Sequence, residues 1–208
     1  MVARVRITTL LLLASLLPPC ALAAPSDDGA RFTRFAGFSL ASDTSLDEVK
    51  RRLGPAPLVE YGESSAYRAS LCYSTGTILV GFLSEEVGGP NHTLLGFSLA
   101  PANPERRSHC VESSTGQLPG DPVIGGLRLG MSRKEAAAVL ARTDPGIRSS
   151  VRRFYESREP LTGPERADYL FAHPRAQAPE QWNVTVSVFA TFAQDRLVEL
   201  EIWKVRTP

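Results

Sequence analysis

The stretch "LGMSRKEAAAVL" (129–140) decides the fold, and a weaker copy of it, "DTSLDEVKRRLG", occupies 43–54. Ser132 and Glu135 have the S-x-x-E spacing of a capping box, and so do Ser45 and Glu48 in the copy. In this motif the serine hydroxyl accepts from a free amide of the first helical turn, and the glutamate reaches back to the serine amide. Each stretch is therefore predicted to begin a helix.

The residues after each cap continue at helical spacing. The apolar positions are Leu46, Val49 and Leu53 in the first stretch, and Ala136, Val139 and Leu140 in the second. A helix cannot continue through proline and often ends at glycine, so the first helix is predicted to end at 54–55 and the second near 144–145. Both helices are too short to be stable alone and must pack on something.

Strand patterns follow each helix, because apolar and polar residues alternate with a period of two. The second copy has a hairpin of 183–192 and 196–204 around "AQD", and the first has 77–85 and 94–100. Weaker strands precede the hairpins at 57–62 and 66–73, and at 149–157 and 167–172. The charged run 158–168 is interpreted as a solvated loop. The fold class is therefore α+β: two tandem units, each a short helical segment packed on a roughly four-stranded antiparallel sheet.

The chain begins with features of a signal peptide. A basic start precedes an apolar run at 7–17 that is too short to cross a bilayer, and Ala21-Leu22-Ala23 follows as a cleavage site. The predicted divisions are a signal peptide at 1–23, a first repeat at 24–100, a linker at 101–122 and a second repeat at 123–208. Lipid anchoring at Cys20 is the alternative, but Pro18 and Pro19 stand where lipoprotein signals have small residues.

Composition and motifs exclude several classes of function. Lys and Arg number 23 against 22 Asp and Glu, which disfavours nucleic acid or an anionic membrane surface as a partner. No later stretch is long and apolar enough to span a membrane. The three histidines, His92, His109 and His173, have no metal-ligand spacing, and no nucleophile elbow, phosphate loop or dinucleotide fingerprint occurs. We therefore expect no catalytic residue, no metal, no cofactor and no enzymatic activity.

Cys72 and Cys110 remain after removal of the signal peptide, in a compartment that is oxidising. They form a candidate disulfide. Two separate buried thiols are the alternative.

The alternation in the second hairpin assigns two faces to its sheet. One apolar face is predicted to cover the helix with Val184, Val186, Val188, Ala190, Phe192, Val198, Leu200 and Ile202. The opposite face is predicted to hold Thr191 and Leu197, together with candidate partner-binding residues. These candidates are Phe189, Trp203, Glu199, Glu201, Thr185 and Ser187. Further aromatic anchor candidates are Tyr61, Tyr67, Tyr73, Phe154, Tyr155 and Trp182.

The motif around the second helix resembles the segment G-M-[ST]-x-x-[EQ]-V-x-x-x-L-G of two protein families. Its positions are filled by Gly130, Met131, Ser132, Glu135, Val139 and Leu140, and less completely in the first copy by Ser45, Glu48, Val49, Leu53 and Gly54. One family is the tandem-repeat β-lactamase inhibitor proteins (BLIP-like), and the other is the outer-membrane assembly lipoproteins of the SmpA/OmlA type (BamE-like). The resemblance implies helix-on-sheet units and a binding function. It does not imply β-lactamase as the target, because the second copy lacks the cysteines of the inhibitors.

These features predict a secreted or periplasmic, non-enzymatic protein-binding module that is inhibitor-like and binds through its open sheet faces. The alternative is a cell-envelope structural or outer-membrane assembly factor. The sequence leaves open which protein is bound and what the oligomeric state is.

Overall fold

The computed structural model describes residues 29–40, 43–103, 108–113, 116–140 and 150–208. The predicted signal peptide, Cys20 and the predicted end of the second helix at 144–145 lie outside these ranges. Within them the chain is α+β with one large, mainly antiparallel sheet. This confirms the predicted fold class at that level. No helix in the described ranges has both the length and the apolar character to cross a membrane.

The strands agree with most of the predicted positions. Their bounds are Arg34–Phe35 (β1), Phe38–Ser39 (β2), Val59–Tyr61 (β3), Arg68–Ser74 (β4), Ile78–Glu85 (β5), Gly96–Pro101 (β6), Val111–Glu112 (β7), Ser150–Pro160 (β8), Gln181–Ala193 (β9) and Arg196–Thr207 (β10). In the described chain, the order in the large sheet is β3-β4-β5-β6-β10-β9-β8, and β7 pairs with β4 in parallel. Because β6 pairs with β10, the strands of the two predicted units form a single continuous sheet.

The α-helices in the described residues are Leu46–Leu53 (α1), Arg133–Leu140 (α2) and Gly163–Ala172 (α3). Short 3-10 turns occur at Ala30–Phe32, Ser64–Ala66 and Glu86–Gly88. The predicted strand at 167–172 is wrong, because α3 occupies it. The predicted loop at 158–168 is also wrong, because most of it belongs to the end of β8 and the start of α3. Thr162 accepts from the Glu165 amide and Glu165 accepts from the Thr162 amide, with a proline in the first turn. This complete capping box specifies a helix start.

The predicted capping box is complete in α2, whereas α1 has only its serine half. The Glu135 amide donates to the Ser132 hydroxyl at 3.3 Å, and the Ser132 amide donates to the Glu135 carboxylate at 2.7 Å. In α1 the Glu48 amide donates to Ser45 at 3.3 Å, while the Glu48 carboxylate pairs with Arg51. The α1 helix ends at Gly54, whose φ of 101° is disfavoured for any other residue.

Tight turns of the same type precede α1 and α2. Ala36 and Gly37 have φ values of 49° and 77° between the paired Phe35 and Phe38. In the second turn the residues at 125 and 126 are both glycine, with φ values of 58° and 90°, between bridged residues 124 and 127. Two successive positive φ angles are typical of a type I′ hairpin turn.

The same backbone contacts join α1 and α2 to the sheet. The Leu94 amide donates to the Thr44 carbonyl at 2.7 Å, just before α1. Just before α2, the Leu197 amide donates to the Met131 carbonyl at 2.8 Å. A tyrosine hydroxyl also donates to a carbonyl oxygen near each helix: Tyr73 to Gly54 at the end of α1 at 2.8 Å, and Tyr155 to Leu140, the last described residue of α2, at 3.3 Å.

The core lies between these helices and one face of the sheet, which we call the inner face. Phe82 on β5 is buried there and makes edge-on contacts with Phe38, Tyr73 and Phe97. On β9 the predicted inward residues are all buried: Val184, Val186, Val188, Ala190 and Phe192. Burial of such side chains contributes about 25 cal/mol per Å² of apolar surface.

The register of β10 differs from the predicted register at one place. A bulge lies between Leu197 and Glu199, so Leu197 is 1% exposed on the inner face and Val198 is only half-buried. The prediction that Val198 points inward and Leu197 outward is therefore wrong. Beyond the bulge, Leu200 and Ile202 are buried as predicted. A bulge inserts one extra residue into the strand, so the alternation between inner and outer face shifts by one residue across the bulge.

The predicted disulfide is confirmed. Cys72 and Cys110 are bonded, with 4.5 Å between their Cα atoms. The bond holds the segment 108–113 against β4, where Val111 pairs with Tyr73 and forms β7. Leu118, further along the predicted linker, packs in the core cluster.

Candidate functional site

The face opposite the core, across β8, β9 and β10, is the candidate site. We call it the outer face. It includes Ser150, Arg152, Phe154, Glu156 and Arg158 on β8, Asn183, Thr185, Ser187, Phe189 and Thr191 on β9, and Glu199, Glu201, Trp203 and Val205 on β10. All six predicted partner-binding residues lie on this face. It is formed because strand residues alternate between faces and the three strands pair in register.

Two rows of side chains cross the outer face. Trp203 pairs with Ser187, and Ser187 pairs with Phe154, which gives one row across β10, β9 and β8. In the adjacent row Glu201 pairs with Phe189, and Phe189 pairs with Arg152. Thr185 and Glu199 lie in the neighbouring rows on either side of these two and are half-buried.

Phe154 and Phe189 form an aromatic pair at the centre of this face. Their ring centroids are 6.1 Å apart with an interplanar angle of 89°, and the Arg152 guanidinium lies 5.6 Å from the centre of the Phe189 ring. Phe154 remains 52% exposed, whereas Phe189 is half-buried. The edge-on contact orients both rings without covering Phe154.

Trp203 lies on the outer face but is only 6% exposed. Its ring covers Gly96, where an added Cβ would lie 3.0 Å from the indole. The Arg68 guanidinium lies 5.1 Å above the ring, and the Glu201 carboxylate accepts from the indole N–H and lies 3.5 Å from Arg68. The ring is therefore a fixed part of the sheet surface, whereas Phe154 is the accessible aromatic group.

The other aromatic candidates have different environments. Tyr73 is buried in the core, and burial raises its pKa to about 12. Tyr155 and Trp182 are half-buried on the inner face, and Tyr61 is 53% exposed on β3. Tyr67 donates to Glu60, and this hydrogen bond raises the tyrosine pKa.

The histidines lie apart from one another. His92 lies 3.4 Å from the Tyr67 hydroxyl through Nδ1 and 3.9 Å from the Glu60 carboxylate through Nε2. His173 stacks on Tyr169 at the end of α3, and His109 is exposed. No three His, Cys, Asp or Glu side chains among the described residues are placed to hold a metal ion.

Four charged side chains form a network on the inner face, where α3 meets the ends of β8 and β10. Lys204 lies 2.7 Å from Glu159, and Arg206 lies 2.5 Å from Glu159 and 2.8 Å from Glu165. Burial alone would raise the pKa of Glu159, but hydrogen bonds and the charges of Lys204 and Arg206 hold it below its ordinary value. The Thr162 amide, with smaller contributions from the Thr162 hydroxyl and Arg206, lowers the pKa of Glu165. This network fixes α3 to the sheet.

Sequence reasoning missed the apolar surface of α3. Phe171 is 90% exposed and Leu170 is 40% exposed. The signal that would have placed them on a helix is the T-x-x-E sequence of Thr162 and Glu165, with Pro164 in the first turn.

Comparison of the chain with protein-family models, with curated proteins and with solved structures gives no match.

Proposed function

We propose that the chain is a non-enzymatic binding protein that holds a partner protein on its outer face. The observation that carries this proposal is the Phe154–Phe189 pair, in which a 52% exposed ring is held in place on a paired sheet. Aromatic residues, phenylalanine among them, and arginine are enriched at protein interfaces. Arg152 is the arginine beside this aromatic pair, and its guanidinium lies over the Phe189 ring.

The surroundings of the aromatic pair support the same proposal. Ser187 and Thr191 are small and half-buried, so a partner can approach the sheet closely between the larger side chains. Trp203 lies flat beneath Arg68 in the same row as Ser187 and Phe154. A partner that inserts an apolar side chain beside Phe154 and forms hydrogen bonds with the serine and threonine hydroxyls fits this surface.

We further propose that the protein is built from two copies of one unit. The support is the repeated set of contacts: a type I′ turn, a serine-capped helix, a backbone bond from the helix start to the following hairpin, and a tyrosine hydroxyl bonded to a carbonyl seven or eight residues after the helix start. The units would meet where β6 pairs with β10. In this account α3 is an addition to the second unit.

We also propose that the protein works outside the cytoplasm, in the periplasm or after secretion. The predicted signal peptide at 1–23 and the Cys72–Cys110 disulfide both support this location, because such bonds persist in oxidising compartments.

The test is affinity capture from a cell-envelope extract, followed by mass spectrometry, with the wild-type chain and two variants. Ser187→Arg places a long cation at the centre of the outer face. Ala138→Arg makes the same kind of change at an exposed position of α2, on the other side of the sheet. We expect wild type and Ala138→Arg to capture the same protein and Ser187→Arg to lose it, with all three unfolding at similar temperatures. Capture of that protein by Ser187→Arg at the wild-type level would overturn the proposal.

A further inference from the structure

The two outer edges of the large sheet differ. At one edge, β3 pairs with β4 along Arg68–Ser70, and β7 pairs with β4 at Tyr73 and Ser74. The disulfide holds β7 against β4. At the other edge, β8 pairs with β9 along all of Ser150–Pro160. Among the described residues no strand pairs with the other side of β8.

The β8 edge is long and regular. Its register with β9 runs without a shift from Ser150 opposite Thr191 to Pro160 opposite Gln181. Proteins usually protect an edge by shortening, bulging or covering it or by placing charges on it, because a straight edge offers a row of unpaired amides and carbonyls. The edge strand β8 is charged, but its charges are of both signs, so a second copy can match them. A regular eleven-residue edge is thus suited to receive another strand.

The side chains of β8 determine which strand fits. Two β8 strands can pair antiparallel so that the outer faces of both copies form one surface. Each residue then lies opposite a residue on the same face of the partner strand. If Phe154 lies opposite Phe154 of a second copy, then Arg152 lies opposite Glu156 on both sides of the centre. On the inner face, Arg153 then lies opposite Tyr155, a ring that Arg153 already approaches to 5.1 Å within one chain.

Neighbouring registers lack this complementarity. Centring the pair on Tyr155 places Arg152 opposite Arg158, and centring it on Arg153 places that arginine opposite its own copy. Centring it on Glu156 or on Arg152 likewise places identical charges together. Like charges directly opposite each other destabilise a strand pair, so the register centred on Phe154 is favoured.

We propose that two copies of this chain pair through β8, antiparallel and centred on Phe154, so that one sheet runs through both. The two Arg152–Glu156 pairs fix the register, and the two Phe154 rings meet at the centre of the joined outer face. This inference does not depend on the proposed capture of a partner protein, because it concerns the purified chain alone.

The test uses sedimentation velocity over a range of concentrations, with charge-reversal variants of the purified chain. Arg152→Glu alone places two carboxylates opposite each other on both sides of the centre, and Glu156→Arg alone does the same with two cations. We expect wild type to dimerise and each variant to have a dissociation constant about tenfold higher or more. An equimolar mixture of the two variants restores both opposite-charge pairs and should form a heterodimer at the wild-type concentration.

Arg158→Glu is the matched control, because this exposed arginine lies opposite Ser150 in the proposed register and should leave the dimer unchanged. If Arg158→Glu tightens the dimer, the pair is centred on Tyr155 and the proposal is wrong.

A wild-type chain that stays monomeric at its highest soluble concentration overturns the proposal. So does a variant mixture that dimerises no better than its components. Circular dichroism of each variant confirms that the sheet is folded.

Discussion

The Lys204 ammonium lies 2.7 Å from the Glu159 carboxylate and joins β10 to β8 across the intervening strand β9. The Lys204 side chain is only 11% exposed, and Glu159 is its ion-pair partner. Arg206 extends the contact from Glu159 to Glu165 in the first turn of α3. The position of α3 on the inner face is therefore linked to the ionisation of two carboxylates.

Acid should weaken this part of the structure. The pKa values of Glu159 and Glu165 are lower in the folded chain than their ordinary value of 4.5, so the unfolded chain binds protons more readily. The stabilisation is complete above the ordinary value and is lost as the pH falls through the lower, folded pKa. We expect the free energy of unfolding, measured by urea titration, to fall as the pH is lowered below about 5.

The variant Glu159→Gln tests the source of this pH dependence. It should reduce the slope over that pH range, and it should cost about 1–2 kcal/mol at neutral pH, because Lys204 loses its charged partner. Glu63→Gln, at an exposed position outside the network, is the control and should keep the wild-type slope. Equal slopes for wild type and Glu159→Gln would show that Glu159 does not contribute.

Gly96→Ala should destabilise the sheet at the Trp203 contact. An added Cβ would lie 2.7 Å from the Ile202 carbonyl oxygen and 3.0 Å from the indole ring. Because the oxygen belongs to the backbone of a paired strand, the clash cannot be relieved cheaply, and we expect a loss of about 1–3 kcal/mol in chemical denaturation. Gly120→Ala, which has no atom within 4 Å of its added Cβ, should be neutral. A Gly96→Ala protein as stable as wild type would contradict the Trp203 packing.

Local signals in the sequence predicted much of this fold. The serine caps located the starts of α1 and α2, and period-two alternation located the hairpin strands β5, β6, β9 and β10. The pairing of β6 with β10 has no local signal, because it joins residues more than a hundred positions apart. The helix α3 was missed although its Thr162–Glu165 cap is a local signal, because the charged residues of 158–168 suggested a solvated loop.

The position of the candidate site could be predicted from the sequence, but the burial and contacts of its aromatic side chains could not. Alternation alone placed Phe189 and Trp203 on one face. The burial of Trp203 depends on Gly96 and Arg68, which come from two other strands, so no periodicity within β10 could show it. Sequence reasoning included Phe154 among several aromatic candidates, and only the register of β8 brought it beside Phe189.

Removal of the disulfide should destabilise the protein without changing the outer face of β8 and β9. Cys72 and Cys110 are 38 residues apart, and closing a loop of that size corresponds to about 4 kcal/mol of loop-closure entropy. We expect Cys72→Ser combined with Cys110→Ser to lower the free energy of unfolding by about 2–4 kcal/mol in urea. A double variant as stable as the oxidised wild type would mean that β7 and the core contact of Leu118 hold the segment without the bond.

The most direct test of outer-face binding is hydroxyl-radical footprinting of the chain, free and bound to the captured partner. Phe189 reports on the outer face, and Phe171, which is 90% exposed on α3, reports on the opposite side of the sheet. We predict that oxidation of Phe189 falls on binding while oxidation of Phe171 stays at its free level. Protection of Phe171 with unchanged oxidation of Phe189 would contradict the account and would place the partner on α3.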